Sequence, residues 1–262
     1  MIRVQAHFGE WLQGLAGPDG DVALVTLACR ARGVSAEWQD APGFGLVQNV
    51  ALLDQARAER FLALLGVKAV GRVTLTADLP PGGGAGMSTA ALVALARAFG
   101  APEGGIAPAC LAIEGASDPL MLPAPDGVLW ASRRVMVLAD MPPPPKATIL
   151  GGFWGEMERT DPTDARFPVI SDLIEAWAMG PDLQTVARLA SASAQRTTDL
   201  RGSMGDPTPE LAASLGALGW ARAHTGPARA VIFPPGAVPV GAAAQMTRTG
   251  YEGVFQFDTG VR

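Results

Sequence analysis

The stretch from Asp78 to Phe99 constrains this chain most. Val73, Leu75 and Ala77 alternate with Thr74 and Thr76, which predicts a strand. Pro80 and Pro81 end it. Gly82, Gly83, Gly84 and Gly86 then allow backbone conformations that side chains forbid. From about Met87 the sequence turns Ala- and Leu-rich and predicts a helix, Ser88 to Phe99, apolar nearly all round except at Arg97. A glycine loop entering a helix N-terminus presents backbone N–H groups at the positive end of the helix dipole. That is an anion site, and phosphate is the usual anion. Ser88 and Thr89 add rim hydroxyls, one of which could hold a phosphate-bound Mg²⁺.

Two common phosphate motifs are excluded. Gly86-Met87-Ser88 lacks the lysine of a Walker loop. Met87 stands where the dinucleotide fingerprint needs a small residue, and the nearest ribose-binding acid, Glu103, lies in a Gly/Pro connector predicted over 100–105.

The remaining composition narrows the class. The chain has 262 residues, 48% of them hydrophobic, enough for a full core. Net charge is −5, with no basic cluster denser than Arg133-Arg134, so a nucleic-acid partner is not expected. The two cysteines, Cys29 and Cys110, and two histidines, His7 and His224, make no metal or disulfide spacing. No signal peptide and no membrane-length apolar run is read, so the expectation is a cytoplasmic protein without a membrane partner. Oligomeric state, homodimer included, stays open.

The other predicted elements are a strand from Ile2 to His7, a turn over 8–14, and strands over 22–27 and 26–38. Helices follow over 49–65 and 108–114, then a strand over 133–139. Pro142 to Pro145 form a stiff connector, where a domain boundary is expected. Residues 151–168 read as an irregular, charged segment lining a substrate cleft. Helices are expected over 169–179, 182–195 and 210–218, strand-turn-strand over 221–233, and a last strand over 256–262.

Pro80-Pro81-Gly82-Gly83-Gly84-Ala85-Gly86-Met87-Ser88-Thr89-Ala90 resembles the second motif of the GHMP kinases, the family of galactokinase, homoserine kinase, mevalonate kinase and phosphomevalonate kinase. That motif runs Pro-x-Gly-x-Gly-Leu-Gly-Ser-Ser-Ala; here Met87 replaces the first serine. Gly9-Glu10-Trp11-Leu12-Gln13-Gly14 resembles the first motif of a narrower group, the L-threonine kinases of cobalamin biosynthesis and the propanediol-utilisation kinase. Ala223-His224-Thr225-Gly226 resembles that group's third motif, Ala-His-Ser-Gly. Ile113-Glu114 matches its Ile-Glu-Pro-Thr-Asp-Ser, with Ser117 at the aligned aspartate position and Asp118 one residue late.

The resemblance implies an α+β fold in two domains: residues 1–141, like ribosomal protein S5 domain 2, and residues 142–262, a ferredoxin-like α/β sandwich. It implies ATP and Mg²⁺ as cofactors, with ATP on Pro81, Gly82, Gly83, Gly84, Ala85, Gly86, Met87, Ser88 and Thr89. It implies Mg²⁺ on Ser88 and Glu114, a small-molecule acceptor at Glu10, Gln13, His224, Thr225 and Gly226, and Asp118 as general base. The expected reaction moves the γ-phosphate to a hydroxyl, that of L-threonine first. The alternatives are another GHMP acceptor (homoserine, a sugar or an isoprenoid alcohol) or a nucleotide-binding protein without kinase activity.

Overall fold

The computed structural model describes residues 1–17, 20–202 and 204–260. Strand β1 (Ile2–Leu15) runs straight through the turn expected over 8–14. Gly9, at φ +74°, absorbs the irregularity as a bulge, and the register against the next strand slips between His7 and Glu10. The strand persists because Phe8, Trp11 and Leu12 are fully buried. Strand β2 (Val22–Gln39) is one element where two were expected, and pairs antiparallel with β1.

Strand β3 (Phe44–Gln48) leads to helix α1 (Gln55–Leu64), shorter than the expected 49–65. Asp54 caps it by accepting from the Arg57 N–H at 2.7 Å. The Asn49 side chain is engaged with both backbone groups of Ala77, which keeps that stretch out of the helix. Strand β4 (Gly71–Ala77) pairs antiparallel with β2 and parallel with β3. Helix α2 (Met87–Ala98) begins where expected. Helix α3 (Glu103–Glu114) starts earlier than expected and carries Pro108 inside it. Burial of Ile106, Ala109 and Cys110 overrides the poor helix propensity of Gly104, Gly105 and Pro108.

Strands β5 (Val128–Ala131) and β6 (Met136–Asp140) form a hairpin attached to β2; the expected single strand over 133–139 supplies only its second arm. Strand β7 (Ala147–Phe153) was not expected, and takes in Gly151 and Gly152. All seven of its residues are buried, so it lacks the alternation that marks a half-exposed strand. Helices α4 (Ser171–Ala178), α5 (Leu183–Arg201) and α6 (Thr208–Ser214) follow, α5 reaching past its expected end at 195. Strands β8 (Gly219–Arg222) and β9 (Ala228–Phe233) make the expected strand-turn-strand. Helix α7 (Ala242–Arg248) and strand β10 (Glu252–Thr259) complete the chain. The last strand begins before the expected 256, and of its expected residues 261 and 262 lie outside those described.

The sheet order is β10-β7-β9-β8-β1-β2-β4-β3. One residue pair, Glu10 with Arg222, registers β1 against β8, so residue 10 sits where the N-terminal and C-terminal strands meet. Helix α2 packs on β1, β2 and β4 with nine of its twelve residues buried. Each buried Leu or Val on it contributes about 1.5–3 kcal/mol. That anchorage holds the glycine loop at its N-terminus still. Among the described residues no helix is long and apolar enough to cross a membrane.

Candidate active site

Gly82, Gly84 and Gly86 have φ of +78°, +73° and +68°, the left-handed region, so the loop depends on their lacking side chains. The loop is also clasped. Gly9 N–H donates to the Gly84 carbonyl at 3.1 Å, and Ala228 N–H to the Gly83 carbonyl at 2.9 Å. A Cβ on Gly84 would lie 2.3 Å from Ala223 Cβ and 2.5 Å from the Thr225 carbonyl oxygen; one on Gly226 would lie 2.7 Å from the Gly82 carbonyl oxygen. The first and third motifs thus press on the second from two sides. Gly86 caps α2 without any side-chain hydrogen bond, and the first N–H groups of a helix have no partner within it. The loop offers those donors to an anion. Met87 is buried in the core, so its side chain takes no part.

Beside the loop stand oxygen donors. Ser88 Oγ donates to Glu114 Oε1, and Thr89 Oγ1 to Glu114 Oε2 at 3.3 Å. Arg57 approaches the same carboxylate at 3.4 Å. Burial raises the Glu114 pKa, with the Ser88 hydrogen bond working against it. A hydroxyl and a carboxylate in contact at a helix N-terminus suit a hard divalent cation, and fit Mg²⁺.

Asp118 follows, partly exposed, with Oδ2 3.1 Å from His7 Nε2. Burial works against its charge, but His7 outweighs it, and the pKa lies below the usual aspartate value. Ser117, at the aligned position, is buried and structural: its N–H donates to the Ser132 carbonyl and its carbonyl accepts from Trp130 Nε1. Glu10 is buried, 3.3 Å from His7 Nδ1. Burial pushes its pKa up to about 8, against the pull of His7. Gln13, three residues on, is not brought into this group. Its N–H donates to Ser193 Oγ on α5 at 3.0 Å.

His224 stacks on Phe167 at 3.8 Å between centroids. Its Nε2–H donates to the Arg166 carbonyl at 3.1 Å, which leaves Nδ1 to accept from Arg201 at 3.1 Å. Burial and the Arg201 charge press its pKa down to about 3, so the ring is neutral. Arg201 also pairs with Asp164, and Arg133 donates to the Asp164 carbonyl. Arg222 is buried; its guanidinium donates to Thr198 Oγ1 and the Ala223 carbonyl and forms no ion pair among the described residues. Neither Arg201 nor Arg222 lies within a motif; Arg222 directly precedes the third, and folding sets Arg201 beside His224.

Residues 154–168, the irregular part of the expected cleft lining, cross this assembly as a strap. Glu158 N–H donates to the Gly82 carbonyl at 2.9 Å, Pro162 sits against Gly115, and Phe167 covers His224.

No protein-family model matches the sequence, and no curated protein does. Solved structures do match. The chain is similar to mevalonate kinase from L. major, at 14% identity and a TM-score of 0.64 over 99% of this chain and 96% of that one. It is similar to homoserine kinase from Cytophaga hutchinsonii, at 18% and 0.61 over 99% and 94%. A phosphotransferase related to the CoA biosynthesis pathway gives 16% and 0.68 over 98% and 94%. These likenesses establish an α+β fold shared with those proteins over essentially the whole chain.

Proposed function

We propose that the chain is an ATP-dependent small-molecule kinase that transfers the γ-phosphate to a hydroxyl, with L-threonine as the leading acceptor and O-phospho-L-threonine, for cobalamin side-chain synthesis, as product. The observation that carries the reading is the convergence at the α2 N-terminus: a clasped glycine loop, the Ser88–Glu114 oxygen pair, and Asp118 beside them. Kinase activity in the structurally similar proteins supports it. In this reading the cleft lies between domains 1–141 and 142–262, whose strands meet at the Glu10–Arg222 pair.

Phosphoryl transfer needs in-line positioning and neutralised charge more than covalent help. The loop amides of residues 82–89 hold the ATP phosphates as preorganised dipoles. Ser88 and Glu114 hold Mg²⁺, which when bound neutralises phosphate charge. Asp118, ionised at neutral pH, takes the proton of the acceptor hydroxyl as that oxygen attacks. Glu10 and the His224-Thr225-Gly226 turn border the acceptor. Arg222, which forms no ion pair among the described residues, puts positive charge beside that turn, which suits the carboxylate of an amino-acid acceptor and not a neutral sugar.

The test is ADP release by the purified protein with Mg-ATP and a panel of hydroxylated metabolites. Threonine-dependent release, with phosphothreonine identified by mass, is expected. Release with homoserine or a polyol alone would move the acceptor assignment. ATP binding with no release on any acceptor would sink the kinase reading in favour of a nucleotide-binding protein. Ser88→Ala removes a metal ligand. It should lower turnover about 10-fold or more and raise the Mg²⁺ needed for half-maximal rate. An unchanged Mg²⁺ titration would remove Ser88 from the metal site.

A further inference from the structure

His7 is buried directly beneath the glycine loop. Its ring occupies the space that a side chain at Gly86 would need, with Cδ2 2.4 Å from where that Cβ would sit. Nε2 is 3.1 Å from Asp118 Oδ2. Nδ1 is 3.3 Å from the Gly9 carbonyl oxygen and 3.3 Å from Glu10 Oε1. A carbonyl oxygen only accepts, so Nδ1 carries a hydrogen. Nε2 faces the Asp118 carboxyl group at 3.1 Å, where a second hydrogen on the ring completes an ion pair. With both nitrogens protonated the ring is an imidazolium. Ligand atoms of His7, Glu10 and Asp118 lie within 4.8 Å of one another, a spacing that could suggest a metal. Here, however, each imidazole nitrogen faces its own oxygen acceptor, and neither has a lone pair to give.

We propose that His7 is a positioning residue: a permanently held imidazolium that keeps Asp118 ionised and aimed at the acceptor hydroxyl, and whose ring seats the phosphate loop at Gly86. This rests on the kinase reading with Asp118 as base. His7 neither gains nor loses a proton in the transfer; the proton of the hydroxyl goes to Asp118. The charges around it agree. Glu10 faces it from β1, Asp118 from the segment after α3, and Glu114 stands behind Asp118. Burial opposes the His7 charge, but the two carboxyl groups overcome it and raise its pKa to about 9. Burial favours the protonated form of Glu10, and the His7 charge works against that. Asp118 and His7 form an ion pair beneath the loop.

The chain has only two histidines, so labelling histidine ring nitrogens with ¹⁵N resolves both in the intact protein. Near pH 7 one ring is expected as imidazolium, His7, and one as neutral, His224; the Asp118→Asn variant identifies the former by lowering its pKa. In kinetics, His7→Gln should move the acidic limb of the kcat–pH profile upward by about 1 to 3 pH units, because Asp118 loses its counter-charge, and should raise KM for ATP, because the loop loses its seat. His7→Lys, which restores a cation, should return the limb toward its wild-type place. A neutral His7 ring near pH 7 overturns the proposal, and so does a His7→Gln limb that does not move. If His7→Gln fails to fold, the wild-type ring spectrum and His7→Lys still decide. Failure of the kinase reading looks different: no ADP release from the wild type on any acceptor, whatever the ring spectrum. That result removes the Asp118 role and this proposal with it.

Discussion

Asp118→Asn should lower kcat by about 100-fold or more, with nucleotide affinity nearly unchanged. The substitution keeps the shape of the side chain and leaves one oxygen to accept from His7 Nε2–H at the observed 3.1 Å. It removes the one property a base needs, a lone pair able to take and keep a proton at neutral pH. The wild-type carboxylate is held below the usual aspartate range, its burial outweighed by His7. It is therefore ionised throughout the neutral range, and activity should fall only as pH drops through its depressed pKa. Steady-state kcat at saturating acceptor and Mg-ATP, with KM for ATP alongside, makes the check. A loss of only a few-fold would mean that the loop and the cation catalyse by positioning alone, with no base.

Gly84→Ala is the second large effect, and it acts through backbone geometry. At φ +73° an alanine is strained by about 1–2 kcal/mol. Its Cβ also meets Ala223 Cβ at 2.3 Å and the Thr225 carbonyl oxygen at 2.5 Å, neither of which is a flexible side-chain end. The loop must come away from the 224–226 turn. A displacement of about 1 Å at a phosphate cradle can cost 100-fold. We expect ATP affinity to fall at least about 10-fold and Tm to drop by several degrees, at about 2–4 °C per kcal/mol for a chain of this size. Gly100→Ala is the control: φ is +67°, but nothing lies within 4 Å of its Cβ. It should share the strain and spare the nucleotide. If the two variants bind ATP equally well, the loop is not the phosphate cradle.

Local signals were enough for the centre of the molecule. The alternation over 73–77, the glycine cluster and the apolar run after Met87 placed β4, the loop and α2 nearly to the residue. Those elements follow rules of neighbours in sequence: period two, positive φ, helix propensity. Asp54 and Asp182 capping α1 and α5 are local signals of the same kind. Elsewhere burial from distant elements won. Residues 8–14 contain Gly9 and Gly14 and read as a turn, yet Trp11 packs on Trp177 at 5.9 Å and Phe8 on Phe153 at 5.2 Å, which holds the segment extended. Strand β7 lacked alternation because both of its faces are covered.

The same division runs through the candidate site. Gly82 to Thr89 could be read as an anion cradle from the sequence alone, because the motif contains its own chemistry. Ser88, Glu114 and Asp118 could be listed from resemblance. That Asp118, and not position 117, faces His7 was decided by the fold, through the hydrogen bonds that lock Ser117 against Trp130 and Ser132. His7, Arg201 and Arg222 gave no local sign, since a lone histidine or arginine has many uses. Arg201 closes α5, and Arg222 stands where β8 meets β1. The sequence by itself determined a strand, a glycine loop and a buried helix, because backbone conformation and periodicity act over a few residues. The tertiary structure alone decided which charges face that loop, because packing brings together partners far apart in sequence, His7 with Asp118 above all.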